Sequence, residues 1–218
     1  MNLYTTSKSY ITPDFLNLIS EYVGEDFNYV QQIIEGTLPV VLLGLTHKLK
    51  TEESTEELLS FFKEHSLGKV DLSNLYTIFA NQEALKRYQQ DGAESLLFLF
   101  GDRINVNISF DFSMAFPVDA SSAISLMNLA SPILLGVIAK VLTQKGETVS
   151  TLQNLLEGHF EIGKTNLPQG VAYSLKPILE PNNHTSILQK GKKKSKETNA
   201  SSFYEEIKMK IPKWVTSF

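Results

Sequence analysis

The chain has 218 residues, a formal net charge of −4 and no cysteine. Its apolar fraction of 42% and charged fraction of 20% are ordinary for a globular protein, and its length suffices for one sizeable core. The absence of cysteine excludes disulfides, thiolate metal sites and cysteine nucleophiles, and it favours a reducing compartment, so we expect a cytoplasmic location.

Most of the chain has the 3.6-residue apolar periodicity of amphipathic helices. The sequence therefore predicts an all-α fold of eight to ten helices. The predicted helices cover residues 14–23, 27–36, 38–49, 55–65, 74–90, 92–100, 104–116, 120–142 with a break near 131, and 150–157.

Several polar residues stand where helices are predicted to begin. Ser54 with Glu57 has the form of a capping box, and Asn81 and Asp91 are predicted N-caps. The run 129–142 is too short to span a bilayer and is predicted to be a buried core helix that starts at an N-cap, Ser131. The alternative is a longer helix that continues through the proline at 132.

Two parts of the chain repeat one apolar pattern. Residues 38–49 match residues 131–142, with Pro39 aligned to Pro132. We interpret this as a duplication.

The repeat extends beyond the proline blocks. Residues 54–65 match residues 148–159, and this places His65 opposite His159. The predicted copies are residues 14–66 and about 104–160, with connecting helices at 74–101. Together they form a compact multi-helix domain over residues 1–189.

Residues 104–116, "INVNISFDFSMAF", alternate between apolar and polar side chains, which is typical of a β-strand. Alignment with the first copy instead puts Ile108 and Phe112 on one helical face, so helix is favoured. Three apolar side chains then remain on another side, and they form the predicted interaction surface: Val106, Phe110 and Met114.

No catalytic, cofactor or metal site is predicted. The four histidines lack the spacing of a metal site, and neither a phosphate-binding loop nor a nucleophile elbow occurs. His65 and His159 are each predicted to lie near a helix C-terminus, where the dipole favours an imidazolium. A paired ligand or a switch is the alternative for these two residues.

The charge changes sign near the end of the chain. Residues 1–189 have a formal net charge of −9, whereas residues 190–218 have a formal net charge of +5. The acidic body disfavours a nucleic-acid partner. A flexible Lys-rich linker is predicted at 190–202 and a short amphipathic tail at 203–218. The residues for a weak contact with an anionic membrane are Lys192, Lys193, Lys194, Trp214 and Phe218.

Three further features suggest a family. They are the apolar helices that open on a proline, the segment "LLFLFG" at 96–101 and the segment "LPQGVAYSL" at 167–175. In their order and spacing they resemble the YidB-like bacterial proteins, a catalogued domain of unknown function. The resemblance implies a helical fold and brings no established catalytic residues. This chain departs from the family pattern in its low glycine content and its alternating 104–116 segment.

These observations predict a non-enzymatic interaction or scaffold module that binds a protein partner and needs no cofactor. One alternative is a protein held at the periphery of the inner membrane by its basic and aromatic tail. The other is an enzyme whose site the sequence does not reveal. A deep pocket that joined the two aligned histidines to carboxylates would favour the enzyme.

Overall fold

The computed structural model describes residues 1–65, 67–69 and 71–180, and within these residues all regular elements are helical. The predicted all-α class is confirmed for this part of the chain. Short 3-10 turns at Leu67–Lys69 and Leu72–Asn74 separate the fourth and fifth α-helices. The ten α-helices are α1 (Leu3–Lys8), α2 (Pro13–Val23), α3 (Phe27–Lys48), α4 (Glu52–Glu64), α5 (Tyr76–Phe79), α6 (Gln82–Ala115), α7 (Ala120–Lys145), α8 (Val149–Leu156), α9 (His159–Asn166) and α10 (Lys176–Leu179).

Helices α3 and α7 form the centre of the fold and pack against each other. Both are buried on nearly all sides through their middle, as expected for helices without a polar face. By length and composition α7 could cross a membrane, but 83% of its most apolar 18-residue window is buried by the rest of the chain. It is a core helix here, as the sequence predicts.

Both central helices continue through a proline. Pro39 lies inside α3 and Pro132 lies inside α7. The predicted helix boundaries near 37 and 131 are therefore wrong, and the alternative of one long helix through each proline is correct. Proline in a helix leaves the carbonyl four residues earlier without its donor, so this arrangement needs compensating contacts.

At Pro132 the carbonyl without a helical donor belongs to Asn128. The α-carbon of Gly92 on α6 packs directly against it, so closely that a β-carbon at position 92 would lie 1.8 Å from the Asn128 oxygen. Ser131 Oγ donates a 3.2 Å hydrogen bond to the Gly92 carbonyl. Ser131 thus joins α7 to α6 instead of capping a helix, which corrects the predicted N-cap.

Helix α6 spans the predicted helices 92–100 and 104–116 and part of the predicted helix 74–90, and the predicted break between the first two coincides with non-helical backbone at Gly101. It begins at the N-cap Asn81, whose side-chain oxygen accepts hydrogen bonds from the Glu83 and Ala84 amides, which confirms that prediction. Asp91 lies inside the helix, so its predicted capping role is wrong. The helix bends at Gly101, whose φ of 71° favours glycine, and residues 104–115 are helical as predicted.

Helix α4 begins earlier than the sequence predicts. Its N-cap is Thr51, whose hydroxyl accepts a 3.2 Å hydrogen bond from the Ser54 amide. Ser54 lies in the first turn and donates its own hydroxyl to the Lys48 carbonyl at 2.6 Å. The predicted capping box at Ser54 and Glu57 is therefore wrong. Thr148 caps α8 in the same way, accepting from the Thr151 amide at 3.2 Å.

The "LLFLFG" and "LPQG" segments both pack onto glycines of α3. A β-carbon at Gly44 would lie 2.6 Å from the Phe100 ring, and one at Gly36 would lie 2.6 Å from the Pro168 ring. Each glycine therefore makes room for a ring from one of the two segments. The segments hold α6 and the chain after α9 against the central helix.

Candidate functional site

The predicted interaction residues lie on the second half of α6. Met114 is 87% exposed, more than any other large apolar side chain in the described part of the chain. Val106 and Phe110 are half-buried. Ile108 and Phe112 are fully buried, so they fix the helix to the core. The two apolar stripes of this segment thus face different surroundings, as the helical interpretation predicts.

A second exposed apolar side chain lies on a segment attached to this helix. Tyr173 is 72% exposed. The amide of its neighbour Ser174 donates a 2.8 Å hydrogen bond to the Asp111 carboxylate on α6. Lys176 Nζ lies 4.5 Å from the centre of the Tyr173 ring. We refer to Val106, Phe110, Met114 and Tyr173 as the Met114 face.

His65 is the C-cap of α4, as the sequence predicts, and it also joins α4 to α6. Its Nδ1 lies 3.1 Å from the Phe61 carbonyl oxygen, and its Nε2 lies 3.0 Å from Glu94 Oε2. A carbonyl oxygen can only accept, so Nδ1 carries a proton. The imidazole stacks on Phe61 at 3.9 Å between ring centres, and Phe61 stacks on Phe98 at 4.6 Å.

A cavity of about 430 Å³ lies beside His65 and is lined by it together with Tyr88 and Asp91. Burial raises the pKa of Asp91 to about 6; the nearby His65 opposes this rise and Glu94 adds to it. The Tyr88 hydroxyl is buried without a hydrogen-bond partner, and its burial raises its pKa. We refer to His65, Tyr88, Asp91 and Glu94 as the His65 cluster. It can therefore hold or release a proton at Asp91 near neutral pH.

The sequence does not predict this cluster. Glu94 is 29 residues from its partner His65, and its spacing to Asp91 on one helix face has the ordinary form of a solvated surface. Only the packing of α4 on α6 brings the imidazole to these carboxylates.

His159 is the first residue of α9 and is 4% exposed. The chain turns at Gly158, which has a φ of 75°, and then begins a new helix. His159 thus lies just after the C-terminus of α8, as predicted, and it also begins α9, which the sequence does not predict. Its Nε2 accepts a 3.1 Å hydrogen bond from the Leu3 amide, and its Nδ1 lies 3.2 Å from the Glu157 carbonyl oxygen.

The two aligned histidines lie in different surroundings. His65 lines the cavity with Asp91, whereas His159 lines a separate cavity of about 430 Å³ with Lys145 and Glu157. Across residues 1–65, 67–69 and 71–180, no group of three or more His, Asp or Glu side chains is placed to hold a metal ion. The predicted membrane contacts (Lys192, Lys193, Lys194, Trp214 and Phe218) lie outside the described residues.

A family model for bacterial proteins of unknown function, DUF937, matches residues 7–141. Comparison with curated proteins gives no match, and comparison with solved structures gives none either. The matched region includes α3, most of α7 and the His65 cluster, and it ends before His159 and Tyr173.

Proposed function

We propose that this chain, which belongs to the DUF937 family of bacterial proteins of unknown function, is a non-enzymatic interaction module that binds a protein partner through the Met114 face. The 87% exposure of Met114 carries this proposal. Solvating a large apolar side chain costs free energy, which contact with an apolar partner segment offsets. The flexible thioether of methionine also adapts to the shape of a partner.

The helix that carries the Met114 face is fixed to the core on its opposite side, which supports this function. Ile108 and Phe112 are fully buried beneath it, and the bond between Asp111 and Ser174 fixes the neighbouring segment. A surface that is ordered before binding loses less conformational entropy when a partner docks. The occupant we propose is an apolar helix or strand of a partner protein.

The test is site-specific cross-linking in the native host. A photo-reactive amino acid replaces Met114 in one variant and Leu97 in another; Leu97 is a matched control because it is 49% exposed on the same helix. We expect a defined cross-linked protein from position 114 that the control does not give. To test Met114 itself, the photo-reactive amino acid is placed at Tyr173 on the same face; Met114→Lys then removes capture, whereas Leu97→Lys retains it. Equal capture by the two lysine variants contradicts the proposal.

The described residues support the proposed duplication. Copy one comprises α2, α3 and α4, and copy two comprises the second half of α6, α7 and α8. Each copy has a proline inside its long helix and a threonine N-cap on the helix that follows. The long helices pack together, and so do α4 and α8. The resemblance of the chain to the YidB-like proteins stays a prediction.

A second candidate function is peripheral association with the inner membrane of a bacterium, from the cytoplasmic side. The formal net charge of +5 in residues 190–218 favours it, because each lysine near an anionic surface contributes about 1 kcal/mol. The test is co-sedimentation with anionic phospholipid vesicles. The full chain is expected to bind more than a chain that ends at Leu188, and equal binding removes this candidate.

The remaining rival is an enzyme, and the cavity beside His65 is the observation that favours it. If the chain is an enzyme, we expect one deep pocket that joins both aligned histidines to carboxylates. His65 and His159 instead line separate cavities and have no common hydrogen-bond partner among the described residues. Both imidazoles are bonded at both nitrogens to other parts of the chain, which supports structural roles.

A further inference from the structure

We propose that His159 is a proton-operated latch that holds the N-terminal helix α1 on the helical body. The imidazole is 4% exposed and belongs to α9, which packs against α1 and α3. The Leu3 amide at the start of α1 donates to its Nε2 at 3.1 Å, a bond between residues 156 positions apart. This bond joins the start of α1 to the start of α9.

The hydrogen bonds fix the protonation state of the latch. Nδ1 lies 3.2 Å from the Glu157 carbonyl oxygen, which can only accept, so Nδ1 carries a hydrogen. Nε2 accepts from the Leu3 amide, so it carries none. The imidazole is therefore neutral when α1 is docked, with one defined tautomer.

Protonation of Nε2 is incompatible with the docked helix. The new N–H would face the Leu3 amide, leaving two buried donors opposed and neither with an acceptor. Histidine is the side chain that normally changes its charge between pH 5 and 8, so docking of α1 is expected to weaken as the pH falls through this range.

Other charged groups near the latch act differently. Lys145 of α7, Glu157 before α9 and Met1 line the cavity beside His159. Lys8 of α1 forms a 2.5 Å ion pair with Glu35 of α3, and this hydrogen bond raises the pKa of Lys8. Lys8 therefore stays charged between pH 5 and 8 and does not account for release.

Release of α1 exposes apolar surface of the body. The helix packs on α7 and α3, and its Leu3 side chain is fully buried. A helix of six residues is unstable alone in water, so detachment also unfolds it. Release of α1 thus uncovers apolar surface of α7 and α3.

The test is hydrogen exchange on the full chain, read by mass spectrometry for peptides from residues 1–11 and from α3. Protection factors are compared at pH 7.5 and 5.5 after correction for the intrinsic exchange rate. We expect α1 in the wild type to lose protection by up to about tenfold at the lower pH while α3 keeps it, because the uptake of one histidine proton is linked to release. His159→Gln retains an acceptor that does not titrate, so its α1 is expected to be equally protected at both values.

Three results overturn the proposal. They are unchanged α1 protection in the wild type, an equal pH-dependent loss in His159→Gln, and a parallel loss in α3. If the variant does not fold, ¹⁵N NMR of the wild-type imidazole replaces it. A neutral Nδ1–H tautomer at pH 7.5 that becomes an imidazolium as α1 loses protection supports the latch. An imidazolium that forms while α1 stays protected overturns it.

Discussion

Replacing Gly92 with alanine tests how α6 and α7 are held together. The added β-carbon would lie 1.8 Å from the Asn128 carbonyl oxygen, a backbone atom that cannot rotate away. An ordinary carbon–oxygen contact is about 3.3 Å, so the helices must separate by about 1.5 Å. The 3.2 Å bond from Ser131 to the Gly92 carbonyl would then be lost.

The cost follows from these contacts. Overpacking of a core contact costs about 1–3 kcal/mol, and the lost hydrogen bond adds about 1 kcal/mol. Alanine returns about 1 kcal/mol through its helix propensity. We therefore expect Gly92→Ala to lower the free energy of unfolding by about 1–3 kcal/mol, which is about 2–12 °C in Tm for a chain of this size.

The assay is thermal and urea unfolding followed by circular dichroism. Gly136→Ala is the matched control, because it also adds a β-carbon inside a long helix. Its nearest contact would be the end of the Leu72 side chain at 3.3 Å, which can move aside. We expect the control to change the free energy of unfolding by less than about 1 kcal/mol. Equal stabilities of Gly92→Ala and the control would refute the reasoning about the α6–α7 contact.

Three further predictions concern other contacts. Burial raises the pKa of Asp91 in the folded protein to about 6. Ionisation of this carboxyl therefore lowers the free energy of unfolding as the pH rises from the ordinary pKa of an aspartate through 6. Since Asp91 is half-exposed, we expect Asp91→Asn to stabilise the protein by about 1 kcal/mol in urea unfolding at pH 7.5 and by nothing measurable at pH 4; an equal gain at both values argues against burial of the charge. Thr51→Ala and Thr148→Ala each remove an equivalent N-cap and should each cost about 1 kcal/mol in the same assay; a cost from only one of them contradicts the equivalence. Gly36→Ala should lower Tm, and adding Pro168→Ala should cost less in that background than in the wild type, because the β-carbon and the proline ring compete for one space; strictly additive losses would mean that they do not.

The sequence by itself determined the helical class and several local features. The helical periodicity of residues 104–115 and the N-cap at Asn81 depend on neighbours within one or two turns, so they are readable from the chain. The alignment of the two copies resolved the alternating segment as helix. It also placed Met114 away from the core, where the structure leaves it 87% exposed.

Tertiary structure decided the features that depend on distant partners. Local rules end a helix at proline, yet α7 continues through Pro132 because Gly92, 40 residues earlier, packs on the carbonyl that the proline leaves free. His65 and His159 align in sequence but differ in role, because one meets Glu94 on α6 and the other meets the Leu3 amide. No periodicity or spacing encodes these contacts, since they arise only when separate helices pack together.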